Sequence, residues 1–94
     1  QIAQKLVSLN PDVIVAISTP SAQSALAAIG ANSGAGHKMI PLVFTAVTDP
    51  VGAKLVKDLN HPAPGVTGVS DYLPPEPQLK LVQRFVPKVR SLGI

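Results

Sequence analysis

Residues 41–56, PLVFTAVTDPVGAKLV, constrain the fold more than any other part of this chain. Leu42 to Val47 reads as a buried strand that runs into a Thr48–Asp49–Pro50 turn, and the turn predicts the start of a helix. The pattern occurs twice: DVIVAIS, residues 12–18, runs into Thr19–Pro20 and then SAQSALAAIG. A strand that hands small hydroxyl and carboxylate residues to a helix N-terminus is how open α/β sheets build ligand clefts. Two such corners side by side predict one shared pocket at the carboxyl edge of a parallel sheet.

The rest of the chain alternates between helical and extended patterns. Ile2, Leu6 and Leu9 share a helix face over residues 1–9, ended by Asn10–Pro11. VIVAI, residues 13–17, is too short for a helix and β-branched enough for a strand. Thr19 is the expected N-cap of the next helix, Pro20 its first residue, and Gly30 its C-cap. Ala22, Ala25, Leu26 and Ile29 form its apolar stripe, and a loop follows to Lys38. After strand 42–47, a helix is expected over 51–59, capped by Thr48 or Asp49, with Val51, Leu55, Val56 and Leu59 inward. HPAPG, residues 61–65, is a stiff linker. VTGVSD, residues 66–71, reads as a strand, and LPPEP breaks it. A last helix from Gln78 carries Leu79, Val82, Phe85 and Val86 and stops at Pro87, and Ser91 begins a further strand. The expected order is α-β-α-β-α-β-α-β, an α/β parallel sheet with flanking helices and right-handed crossovers. The chain opens inside a helical pattern and closes on a strand, so it is expected to be a piece of a longer protein.

Composition narrows the function. Hydrophobic residues make up 46% and charged residues 14%, which excludes a disordered tail. No apolar run approaches the roughly 20 residues that span a bilayer. With no cysteine, disulfides, thiolate catalysis and Cys-based zinc sites are excluded. The net charge of +3 rests partly on Lys80, Arg84, Lys88 and Arg90, which read as a solvated helix face. Aromatics are 3% of the chain and no helix-turn-helix appears, so no nucleic-acid partner is expected. GANSGAG, residues 30–36, follows a helix rather than a strand and reads as a connecting loop, not a phosphate loop. His37 and His61 lack metal-ligand spacing. No nucleophile elbow or acid–base pair is present, so no enzyme, cofactor or metal is expected.

Ser18, Thr19, Thr45, Thr48 and Asp49 fall at or near the ends of two strands. Any one of them could simply cap a helix. Paired corners favour a ligand, because a helix N-terminus stabilises a carboxylate or phosphate by ~0.3–1 kcal/mol and hydroxyls add directional hydrogen bonds. GVTGVSD, residues 65–71, reads either as an edge strand or as a crossover between two lobes, where a few residues absorb hinge rotation.

In this order, IVAISTPSAQSAL, IPLVFTAVTDPVGAKLV, PGVTGVSD and QLKLVQRFVPKVRSLGI resemble ABC transporter substrate-binding proteins, in particular the tryptophan/tyrosine transport-like subfamily with the type I periplasmic-binding-protein fold. FTAVTDP and VTGVSD are the most specific segments. The resemblance implies a piece of a two-lobed protein: residues 1–65 in the first lobe, 66–73 the interlobe crossover, and 74–94 the start of the second. It maps ligand-facing positions to Ser18, Thr19, Pro20 and Ala22, to Thr45, Thr48 and Asp49, and to Ser70 and Asp71. The implied role is the extracytoplasmic or periplasmic component of an importer. It binds a small amino acid or related carboxylate between its lobes and delivers it to an ABC permease. Asp49 or Asp71 would pair with the ligand ammonium. In the family's sheet order another strand lies beside 13–17, so the 94-residue chain alone is expected to self-associate, by strand pairing at that open edge or by exchange of the C-terminal segment. The competing readings are the effector domain of a transcriptional regulator with the same fold, and an enzyme on a doubly wound sheet.

Overall fold

The computed structural model describes residues 1–34 and 36–93. The chain folds as α1 (Ile2–Ser8), β1 (Ile14–Ile17), α2 (Thr19–Asn32), β2 (Leu42–Val47), β3 (Val66–Ser70) and α3 (Pro75–Phe85). The three strands form one parallel sheet in the order β1-β2-β3. Ile14 to Ile17 pair in register with Leu42 to Thr45, and Leu42 to Phe44 with Val66 to Gly68. This is the α/β parallel arrangement that the sequence predicts.

The core lies on one face of the sheet. Ile14, Ala16, Leu42 and Phe44 point into it and meet Ala22, Ala25, Ala28 and Ile29 of α2, with Val7 of α1 closing the end. Alternation places Val15, Ile17, Val43, Thr67 and Val69 on the opposite face, where Val15, Ile17 and Val69 are more than 60% exposed. Gly68 is required where it stands. A Cβ there would collide with the Phe44 carbonyl and ring, so only glycine lets β3 lie flush against β2.

Several boundaries differ from the sequence expectation. Ser18, not Thr19, is the N-cap of α2, and Pro20 takes the second helical position. Gly30 does not end the helix. Ser33 does, its hydroxyl donating to the Gly30 carbonyl at 2.7 Å. The helix expected over 51–59 does not form. One helical turn closes from the Ala53 amide to the Asp49 carbonyl at 2.9 Å, and then Lys54 enters the left-handed region at φ 59°. The Leu55 amide turns back to the Pro50 carbonyl at 3.0 Å. Leu55 and Val56 are buried as expected, but Val51 and Leu59 are exposed. Gly52 weakens the helix, and Pro62 and Pro64 beyond it cannot extend one. Helix α3 begins at Pro75, three residues before Gln78, because Pro is well suited to a first turn. Val86 lies just past its end. Residues 91–93 carry no strand, and Ala35 and Ile94 lie outside the described residues.

Helix α3 has no buried residue and no substantial packing against another element, and Phe85 on its apolar stripe is 80% exposed. The radius of gyration is accordingly 17.8 Å, against about 12 Å for a compact chain of this length. Beside the unpaired edge of β1 runs a groove of about 600 Å³, lined by Ile2, Leu6, Val15, Ile17, Pro20 and Ala25 among others, with no charged residue.

Two outcomes follow from this architecture. Gly68→Ala is expected to lower stability by about 1–3 kcal/mol, since the obstructing atom is backbone and cannot move aside; an unchanged urea midpoint would show that β3 is not flush with β2. The 94-residue chain alone is expected to self-associate, because the β1 edge carries no charge, proline or bulge to block pairing. A single monomeric species in sedimentation equilibrium up to high micromolar concentration would contradict this.

Candidate functional site

At the carboxyl edge of the sheet, β1 must become α2 without a loop. Ser18 makes the change alone. Its amide still donates to the sheet, to the Thr45 carbonyl at 3.0 Å, while its carbonyl already accepts the first helical bond from the Ala22 amide at 3.1 Å. The two demands force φ to 79° and ψ to 156°, a region that only glycine visits freely. The first turn of α2 has no acidic residue and its cap makes no side-chain bond to the helix amides, so the positive end of the helix has no counter-charge of its own. The Ser18 hydroxyl lies 3.4 Å from that of Ser21.

The neighbouring strand ends in a bulge. The β2–β3 register shifts between Phe44 and Val47, and Ala46 sits at φ 53°. One extra residue reverses the alternation. Val47 is therefore turned into the core, fully buried, and Thr48 and Asp49 emerge at the surface. Asp49 then caps its own turn: Oδ1 accepts from the Gly52 amide at 2.8 Å. Its carboxylate lies where a Cβ on residue 52 would be, so Gly52 is the residue that admits it. At the end of β3, the Asp71 amide donates to the Val47 carbonyl at 3.2 Å. The Ser70 hydroxyl donates to the Thr48 carbonyl at 3.0 Å and accepts from the Tyr72 amide at 3.2 Å.

The three strand ends are thus neighbours. Ser18 abuts Thr45, and Ser70 lies opposite Val47 beside Thr48. Ser18, Thr19, Thr45 and Ser70 are half-buried; Pro20, Thr48, Asp49 and Asp71 are exposed. Ala22 is different: it is fully buried on the core-facing side of α2 and its amide is spent on Ser18. The groove described above lies beside β1 rather than at this edge, and of the nine positions only Pro20 lines it. Sequence reasoning missed Ala46, whose small side chain gives no sign of a bulge. It also missed Gln23 on the exposed side of α2, whose Nε2 donates to the Ala53 carbonyl at 3.1 Å.

Titratable groups elsewhere, among the described residues, pair at the surface. The Asn60 amide, and after it His61, hold the Asp58 carboxyl below its ordinary value. Lys38 lies 3.8 Å from Asp12 on the surface. Among the described residues no three His, Asp or Glu side chains converge as a metal ion requires. No helix among them is long and apolar enough to cross a membrane.

A parallel sheet whose carboxyl edge gathers helix amides, hydroxyls and a carboxylate matches known proteins along its length. The profile of the family described as ABC transporter substrate binding protein matches residues 1–94. This chain belongs to that family. A tyrosine-binding protein of Clostridioides difficile is 48% identical over 93 residues, which cover 99% of this chain and 25% of that protein. A crystal structure from Vibrio cholerae of a conserved domain protein superposes with a TM-score of 0.82 at 50% identity, covering 96% of this chain and 28% of that one. An ABC domain from Streptococcus pneumoniae in complex with L-Trp gives a TM-score of 0.73 at 40% identity, covering 87% of this chain and 25% of that one. The chain therefore spans about a quarter of the length of these relatives.

The junction and the Asp49 cap can each be checked. Ser18→Gly is expected to raise stability by about 1 kcal/mol by removing the φ penalty; a lower melting temperature would mean that the Ser18 side chain contributes more than the strain costs. Asp49→Ala and Gly52→Ala are each expected to cost ~1 kcal/mol, the size of a lost cap, and Asp49→Asn less, since Asn also caps. Both alanine changes disrupt one interaction, so the double variant should be little worse than either single. Full additivity in urea unfolding would separate Gly52 from the cap.

Proposed function

We propose that this chain is part of the solute-binding component of an ABC importer and that it holds an amino acid, of the aromatic class, against the carboxyl edge of its sheet. The observation that carries the reading is the Ser18–Thr45 junction. It sets the uncompensated N-terminus of α2 beside the Thr45, Thr48 and Asp49 corner. A zwitterion fits that arrangement. Its carboxylate would take the helix amides and the hydroxyls of Ser18 and Thr19, and its ammonium would face Asp49 or Asp71. The tyrosine-binding relative and the L-Trp complex support the aromatic class.

In this reading residues 1–65 belong to the first of two lobes, 66–73 cross between them, and 74–94 begin the second. The bare apolar stripe of α3 supports the division, since a helix that buries no residue among those described suits another body. The component would work outside the cytoplasm and dock on a permease. Family membership favours transport over the effector domain of a regulator.

The test is calorimetric titration of the full-length protein carrying this sequence with L-tryptophan, L-tyrosine, a sugar and a nucleotide. Saturable binding of an aromatic amino acid is expected, with a stabilisation near 2.7 kcal/mol at 100 times the dissociation constant. Asp49→Asn should weaken binding at least tenfold while the fold survives. Binding of only the sugar or the nucleotide would defeat the reading, and unchanged affinity in the Asn variant would reduce Asp49 to a cap.

A further inference from the structure

Among the described residues, two side-chain hydrogen bonds join segments far apart in sequence. Gln23 Nε2 donates to the Ala53 carbonyl at 3.1 Å across 30 residues, and the Ser70 hydroxyl donates to the Thr48 carbonyl at 3.0 Å across 22. The other side-chain hydrogen bonds span five residues or fewer. Both long-range bonds end on the same short segment, 48–53, from opposite sides: Gln23 from α2, Ser70 from the end of β3. This is the segment that a full helix would have stiffened and that is instead a single turn closed by Asp49.

We infer that Gln23 and Ser70 are positioning residues that brace the Asp49 turn from either side. A lone helical turn has too few internal bonds to hold a carboxylate in one place, because nucleating a helix fixes several dihedrals for one hydrogen bond. Pro50 is buried, Ala53 packs against the core, and Leu55 and Val56 just past the segment are buried, but Thr48, Asp49 and Gly52 are all exposed, so the carboxylate itself gains no hold from the core. Two bonds from rigid elements supply what the turn lacks. Ser70 does more, since its oxygen also accepts from the Tyr72 amide, and the Asp71 amide donates to the Val47 carbonyl. The backbone through Tyr72 is thereby fixed to the same corner as Asp49. The effect on ligand affinity rests on the proposed function, whereas the bracing itself does not.

The test has two arms, both on the full-length protein. Amide hydrogen exchange is read at Gly52, Ala53 and Leu55, whose bonds define the turn, and at the core of α2 as control. Gln23→Glu keeps the bulk but removes the donor, Ser70→Ala removes the hydroxyl, and Ser70→Thr keeps it. Loss of one such bond should speed exchange of the three turn amides about fivefold to tenfold and leave the α2 amides unchanged. Ser70→Thr should restore the slow exchange. The second arm titrates L-tryptophan and L-tyrosine, and weakening by about fivefold in Gln23→Glu and Ser70→Ala is expected. Unchanged turn amides, or turn and α2 amides accelerating together, would overturn the bracing. Accelerated turn amides in a protein that binds no amino acid would uphold the bracing and overturn the proposed function.

Discussion

The architecture depends on one residue that belongs to two structures. Ser18 gives its amide to the sheet and its carbonyl to the helix. In most strand-to-helix connections a loop of several residues separates those obligations. Here the separation is zero, so the direction of β1 determines where the first amides of α2 stand relative to β2. The backbone accepts a conformation suited to glycine, with a cost of order 1–3 kcal/mol. The Thr45 bond and the burial of Ala22 just below hold it there. Because the junction is part of the sheet ladder, the helix terminus cannot drift without breaking strand pairing.

The same logic governs the second strand by a different device. The bulge at Ala46 is a change of phase. Without it, Val47 would face away from the core and Thr48 would turn inward. With it, Val47 becomes one of the best-buried side chains of the molecule and the polar residues after it face out together. Two strained backbone positions, Ser18 and Ala46, thus sit at one edge of the sheet, on adjacent strands. At the opposite, amino edge the positive φ angles fall on Asn10 and Gly65, residue types that tolerate the left-handed region.

The strands were legible because their chemistry is redundant. β-branched runs of four to six residues bounded by Pro, Ser and Asp admit little else, and parallel pairing of β1 with β2 follows from the α2 crossover between them. The pairing of the two corners was legible for the same reason. The segment after Asp49 was misread because Val51, Leu55, Val56 and Leu59 carry a helical period by accident. Leu55 and Val56 are buried by a chain that doubles back at Lys54, and a turn and a helix can bury the same two residues. Thr19 was misread as the cap because the rules for caps assume a loop before the helix, and Ser18 has none. Ala46 and Gln23 leave no local signal, since a bulge is set by the partner strand and a long-range hydrogen bond by the tertiary fold.

The chain is finished on one side only, and the division matters for the site. α1 and α2 cover one sheet face, while Val15, Ile17 and Val69 on the other, the edge of β1 and the stripe of α3 remain exposed. At about 25 cal/mol per Å² of apolar surface, covering them is worth several kcal/mol to whatever packs there. The candidate site does not draw on that reserve. Its amides, hydroxyls and carboxylate are placed by the Ser18–Thr45 bond, the bulge, the Asp49 cap and the bonds from Gln23 and Ser70, none of which is made by α3 or by the unpaired side of β1. The carboxyl edge of the sheet can therefore keep its shape whether or not α3 and the unpaired side of β1 are covered.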